Sequence, residues 1–268
     1  MLTEAQVDTA RRFGGVSRLY GPAGAQAIAT GHVLVVGVGG VGSWVAEALA
    51  RSAVGQLTLI DPDHVAESNM NRQIHATDDT LGMAKVDAMR QRVMRFAPGA
   101  KVDAVDAEVT PEHWPAVAAQ WVNSRTVVVD ACDHLPAKLA MASWAQATGC
   151  ALLCVGAAGG KRLAHNVQIA DLAHTTHDPL LANLRARLRR TLGTAGPAPG
   201  KRARPLGLPC VYSPERVMHA PGPSDAPGAA LGCHGYGSSA AVTGAFGLAA
   251  AAWALDQLAR LVPPSSPV

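Results

Sequence analysis

The chain has 268 residues, 49% of them apolar, 16% charged and 4% aromatic, with a formal net charge of +3. These values describe an ordinary globular protein with one substantial core of small aliphatic side chains, and they argue against two independent domains. The five cysteines, Cys132, Cys150, Cys154, Cys210 and Cys233, are odd in number and scattered, which argues against a disulfide framework; the N-terminus, with Glu4, Asp8, Arg11 and Arg12, lacks an apolar secretory region, so a cytoplasmic protein with reduced thiols is expected.

Residues 1–30 are expected as an N-terminal helical arm, and 31–160 as the core of the fold. Residues 32–38 read as a buried strand that runs straight into an Ala-rich helix over 39–51, with Trp44, Val45, Ala48 and Leu49 on its apolar side. The next strand covers 56–60 and ends at Asp61. After a polar loop through Asn69, Asn71, Arg72 and Gln73, a helix from near Thr80 places Val86, Met89, Val93 and Phe96 at helical spacing, and Pro98-Gly99 ends it. A strand over 101–109, a helix over 111–121 and a strand over 126–129 follow, the last running into Asp130-Ala-Cys-Asp133. Pro136 suits a first helical turn and Gly149 a helix end, before a fifth strand at 151–155. This alternation predicts a Rossmann-like, doubly wound, mostly parallel sheet with helices on both faces.

Residues 161–262 read as an elaboration of the same domain. It holds a strand at 166–169, a basic helix over 179–190, Pro/Gly-rich loops near 193–200 and 219–229, and a last helix ending near Leu261, with a tail at 263–268. Residues 235–255 carry no charge and match a bilayer span in length, but their Ala, Gly and Ser content predicts a buried core helix and no membrane partner.

Gly37-Val-Gly39-Gly40-Val-Gly42 fits G-x-G-x-x-G directly after a strand and at the start of a helix. Glycines there permit a tight turn and close backbone approach, and the helix N-terminus offers N–H groups to a phosphate. Asp61, at the end of the second strand, is placed to accept ribose hydroxyls. The pattern alone favours NAD, the ligand of the dehydrogenases that commonly use it. Against that, Asn69, Arg72, Gln73 and Lys85 gather polar and positive groups where a triphosphate needs them and a nicotinamide does not. With strand order 3-2-1-4-5, the glycine turn and Asp133 face one crevice, where Asp133 is a sensible magnesium ligand alongside phosphate oxygens.

On these residues, up to position 160, the chain resembles the ubiquitin-activating-type adenylating family that includes the MoeB and ThiF proteins. The resemblance implies ATP bound by the glycine turn with Asp61 at the ribose, Asn69, Arg72 and Lys85 at the phosphates, Gln73 among the contacts and magnesium at Asp133. It also implies a homodimer. Arg12-Phe-Gly-Gly-Val-Ser-Arg18-Leu-Tyr-Gly21, Asn71-Arg72-Gln-Ile-His75, Asp171-Leu-Ala, His177-Asp178-Pro179-Leu180, Cys210-Val-Tyr-Ser213 and the region 233–247 are similar to one branch, the tRNA threonylcarbamoyladenosine dehydratases. The chain lacks the two Cys-x-x-Cys pairs with which many sulfur-carrier-activating relatives hold zinc, so no zinc site is expected. The arginine that reaches from a partner subunit in those relatives aligns by spacing with Gly15, which leaves Arg12 and Arg18 as candidates.

The branch implies ATP-dependent dehydration of threonylcarbamoyladenosine in tRNA through a carboxylate adenylate, with Arg72, Lys85 and Asp133 catalytic. No acidic residue lies between Asp178 and Glu215, whereas Arg185, Arg187, Arg189, Arg190, Lys201, Arg202 and Arg204 do, a pattern that fits RNA phosphates. Cys233, beside His234, reads either as a reactive thiol or as a small buried hydrophobe. Two other readings stay open: adenylation of the C-terminus of a small ubiquitin-like sulfur carrier, with a sulfur-transfer or helper protein as partner, and a non-catalytic nucleotide sensor.

Overall fold

The computed structural model describes residues 8–197, 201, 203–218 and 236–261; Arg202, Cys233, His234, the loop at 219–229 and the tail at 263–268 lie outside them. Helix α1 (Thr9–Ala29) starts where the Asp8 carboxylate accepts a hydrogen bond from the Arg11 N–H, and it kinks at Gly21, whose φ is positive, just before Pro22. Strand β1 (His32–Val36) leads through the glycine turn into α2 (Gly42–Arg51), then β2 (Gln56–Ile60), α3 (Lys85–Met94) and β3 (Lys101–Val105). Helix α4 (Trp114–Trp121), β4 (Thr126–Asp130), α5 (Leu135–Thr148) and β5 (Leu152–Val155) complete the alternating part. The remainder supplies β6 (Gln168–Asp171), α6 (Pro179–Thr191), β7 (Pro209–Tyr212) and α7 (Ala240–Arg260).

Among the described residues seven strands lie in the order β3-β2-β1-β4-β5-β7-β6, with β6 antiparallel to β7 and the other neighbours parallel. The sheet is therefore doubly wound, with the expected switch point between β1 and β4. Alternate strand residues feed two cores: Val33, Val35, Leu57, Leu59, Val127 and Val129 pack beneath α2, α3 and α7, while Leu34, Val36, Ile60 and Val128 pack beneath α4, α5 and α6. Register aligns Val36 with both Ile60 and Asp130, so the glycine turn, Asp61 and the 131–133 turn leave the sheet side by side.

Several boundaries differ from the sequence expectation. The helix expected from Thr80 starts at Lys85, because Asp78–Thr80 forms a short 3-10 turn and Gly82, at φ 78, redirects the chain into an antiparallel bridge between His64 and Ala84. Strand β3 ends at Val105 instead of 109, freeing Ala107, Glu108 and Val109 to line the cleft. Helix α4 starts at Trp114, three residues later than expected at 111, with Pro115 in its first turn. Residues 164–166 form a 3-10 turn, so β6 begins at Gln168. Strand β7 was not foreseen at all; it has four residues and its partners lie far away in sequence.

Helix α7, with a mean hydropathy of 1.2, is long and apolar enough to cross a bilayer by length and composition. Here Val242, Phe246, Ala250, Ala254 and Leu258 are fully buried against α1, α2 and the sheet. Its N-terminus reaches the cleft.

Candidate active site

A cleft of about 600 Å³ opens at the carboxyl edge of β1, β2, β4 and β5. Its first wall is the glycine turn, and its glycines have separate tasks. Gly37, at φ 86, lies so close to β4's exit that a Cβ would sit 2.7 Å from the Cys132 nitrogen, and a Cβ on Gly42 would sit 1.8 Å from the Gly37 oxygen. No side chain fits either place. Gly40 is tight against Thr243 and Arg72, whereas Gly39 faces open space, its nearest neighbour the Gln73 amide nitrogen at 4.0 Å. Gly39 and Gly40 line the cleft directly, beside Gly37.

Asp61 is buried, and its two oxygens accept from the Val38 N–H at 2.6 Å and the Asp63 N–H at 2.9 Å. Burial raises its pKa, while Lys85 and these two donors work against the rise. The carboxylate thus braces the glycine turn and keeps lone pairs for further donors. Lys85 is buried at the start of α3, with Nζ 2.6 Å from Asp63 and 3.9 Å from Asp61. It is a wall residue, not a surface lysine.

Asn69 does not line the cleft. Its Oδ1 accepts from the Ala66 N–H, and its carbonyl receives the Arg72 and Gln73 N–H groups, so it shapes the turn that delivers those two side chains. Arg72 and Gln73 do line it. The Arg72 guanidinium donates to the Ser68 carbonyl and to Asn71 Oδ1, and the Arg72 carbonyl accepts from Trp44 Nε1 at 3.0 Å and Thr243 Oγ1 at 3.3 Å. Gln73 is buried with Oε1 lacking a partner among the described residues. A buried, unsatisfied amide in a cleft wall is costly unless a ligand uses it.

Asp133 is exposed in the cleft wall, just past a turn set by Asp130. Asp130 and Lys138 form an ion pair at 2.9 Å with both side chains fully buried. Burial acts to lower the Lys138 pKa, but Asp130 outweighs it and holds the ammonium above its ordinary range. Asp130 also accepts from the Cys132 N–H and from the thiols of Cys132 and Cys154. Burial, then the Asp130 charge, pushes the Cys132 thiol well up, so it is a poor nucleophile. The N-cap of α5 is His134, which leaves Asp133 without a capping role.

The second wall joins the turn after β5 to segments of the elaboration, of which the sequence reading had quoted the 177–180 motif and the region 233–247. Gly156 to Gly159, Pro179, Leu180, Asn183, Val217 and Thr243 line it. Asp178 joins β5's exit to α6, accepting from the Ala157 N–H at 2.8 Å and the Leu181 N–H at 3.0 Å. The buried Lys161 ammonium donates to the carbonyls of His177, Ser213 and Glu215.

The remaining candidates fall elsewhere. Arg12 donates to the Phe96 carbonyl, Arg18 is exposed on α1, and neither lines the cleft. Gly42 supports the turn from behind. Arg185 has a structural task, since one nitrogen donates to the Leu172 and Thr175 carbonyls and to Thr175 Oγ1. Arg187, Arg190, Lys201 and Arg204 are exposed and Arg189 is half-buried.

The family model for the ThiF family matches residues 15–265. The chain is 38% identical over 263 residues to the tRNA threonylcarbamoyladenosine dehydratase of Escherichia coli (strain K12), covering 92% of this chain and 93% of that protein. It is 34% identical over 256 residues to the dehydratase of the same name from Haemophilus influenzae, covering 93% and 94%. The crystal structure of E. coli tRNA N6-threonylcarbamoyladenosine dehydratase in complex with ATP is similar at a TM-score of 0.80 and 38% identity, covering 93% of this chain and 94% of that one.

Proposed function

This chain belongs to the ThiF family, and we propose that within it the protein is an ATP-dependent tRNA threonylcarbamoyladenosine dehydratase. The observation that carries the reading is the convergence of the glycine turn, Asp61, Arg72, Lys85 and Asp133 on one cleft whose second wall is also present. Likeness to the dehydratases runs through both walls.

The cleft suits ATP: Gly39 leaves backbone open to a phosphate, Asp61 offers acceptors to a ribose, and the orphaned Gln73 amide awaits a partner. Among the described residues no three metal-ligating side chains converge. Asp133, exposed in the cleft wall, would hold magnesium brought in with the nucleotide, and the ion would supply charge neutralisation at the phosphates.

The substrate's threonyl carboxylate attacks the α-phosphorus of ATP, forming a C–O–P linkage and releasing pyrophosphate. Arg72 and Lys85 stabilise the charge that develops on the phosphate oxygens. The Asp63 carboxylate holds Lys85 at the wall until a polyphosphate competes for it. The substrate's carbamoyl group then attacks the activated carbonyl, the ring closes, and the carboxylate oxygen departs with AMP. The net change is loss of one water, and the second step gains from proximity within one molecule. No cysteine is required, in keeping with the raised Cys132 thiol.

A second copy of the chain completes the proposed assembly. Leu19, 78% exposed on α1, and Leu248, 54% exposed on α7, give two neighbouring helices apolar positions for it. Arg18 is the side chain it would contribute, since Arg12 is already engaged. The tRNA binds through the exposed basic side chains of the 185–204 segment, and the reaction takes place in the cytoplasm.

Mass spectrometry of nucleosides tests the reading. tRNA bearing the modification, incubated with protein, ATP and magnesium, is expected to lose one water per modified nucleoside, and Arg72→Ala is expected to prevent it. An unchanged mass with protein that binds ATP would reject this substrate and direct attention to protein C-termini.

A further inference from the structure

One face of α6 continues the wall of the cleft outward. Pro179, Leu180 and Asn183 line the opening at the helix N-terminus. At about 100° per residue, Arg187 and Arg190 project within roughly 40° of the direction of Asn183, further along the same face. Arg185 and Arg189 point to the other flank, roughly 120° to 160° away. Contacts agree with this division: Arg185 is bonded to Leu172 and Thr175, and Arg189 lies against Gly196. Leu181, Leu184 and Leu188 hold the third side in the core.

Arg187 and Arg190 are exposed, and α6 carries no acidic residue. Among the described residues neither guanidinium has an ion-pair or hydrogen-bond partner. Two unpaired arginines thus stand in line behind an amide at the lip of the nucleotide cleft. Helical rise places Arg190 about 10 Å beyond Asn183.

We propose that the face formed by Asn183, Arg187 and Arg190 is the track along which the RNA backbone flanking the modified nucleotide leaves the cleft, an inference that rests on the dehydratase reading. A nucleotide whose carboxylate must reach the nucleotide cleft has to be extruded from its loop. Its neighbours stay outside as polyanions, and they need cations where they emerge. A guanidinium binds a phosphate through paired N–H groups, and Asn183 offers an amide donor at the turn from cleft to surface. The basic segment therefore divides: one face meets RNA, and the Arg185 flank fastens α6 to the 172–175 turn.

The test compares two double charge reversals in the full chain, read as affinity for the modified tRNA between roughly 50 and 200 mM salt. Arg187→Glu with Arg190→Glu is expected to weaken binding by about tenfold or more at low salt and to make the salt dependence shallower by about two. ATP affinity should stay the same. Arg95→Glu with Arg125→Glu removes the same charge near the opposite end of the sheet and is expected to cost less than about threefold. Arg187→Gln with Arg190→Gln should repeat the loss in smaller measure. Equal losses in the two charge-reversed proteins, or no loss at α6, would overturn the proposal. Water loss from the same tRNA by the unaltered protein, measured alongside, reports separately on the dehydratase reading.

Discussion

The two walls of the cleft are held by different kinds of bond. The first, from Gly37 to Asp133, hangs directly on strand ends, and its ties span short stretches of chain: Val38 to Asp61 across neighbouring strands, Asp130 at the end of β4 to Lys138 in the following helix. The second is fastened by bonds between remote segments, such as Lys161 to the Ser213 carbonyl and Asn71 Nδ2 to the Ser238 carbonyl. In the proposed function, nucleotide handling rests on motifs at strand ends, and the space for the acyl substrate on tertiary assembly.

The strongest way to break the first wall is from beneath. Lys138→Met leaves Asp130 buried without its partner and is expected to cost about 3–5 kcal/mol, read from urea unfolding, while Lys138→Arg restores most of it. Equal stability of the Met variant would show that the Asp133 turn does not depend on the pair.

Arg72→Ala leaves the sheet intact and is expected to lower kcat by about 100- to 1000-fold in the dehydration assay, with little change in melting temperature. A loss confined to KM would assign Arg72 to binding alone.

Acid should act through two buried histidines, His75 beyond the Arg72–Gln73 turn and His32 at the start of β1, away from the cleft. Burial, the largest cause in each case, lowers His32 and His75 to about 4. The unfolded chain takes up these protons first, so stability is complete above about pH 6.5 and is lost as pH falls from there toward 4. Each histidine is expected to remove about 2 kcal/mol between pH 7 and 5. Urea midpoints at pH 7, 6 and 5 measure this, and His75→Gln should flatten the slope by about half; an unaltered slope would place the acid response elsewhere.

The smallest expected effect joins the walls. Thr243→Val removes the hydroxyl that donates to the Arg72 and Ser239 carbonyls, at a cost of about 1 kcal/mol in stability and a drop in kcat with KM held. If KM rises instead, α7 touches the substrate and does not only position Arg72.

Legibility in the sequence followed the same division. The places of Gly37 to Gly42, Asp61 and Asp133 at the cleft were readable because each follows a strand end, where chain direction leaves few choices, whereas Arg72, Gln73 and Lys85 lie in and after the long loop beyond β2 and were placed by the family resemblance. Asn69 was readable as part of the motif, but its task inside the turn depends on which way its amide points. Arg185 looked equivalent to Arg187, and only packing against Leu172 and Thr175 separates them. Strand β7 was missed since four residues beginning with proline have no pattern of their own, and its place between β5 and β6 comes from pairing across the chain.

By itself the amino-acid order determined the alternating strands and helices, the switch point and the phosphate turn, because hydrophobic period and glycine sterics act over a few residues. The tertiary structure decided the second wall, the surfaces against which α7 is buried and the division of the α6 arginines, because these depend on which distant surfaces exclude water together.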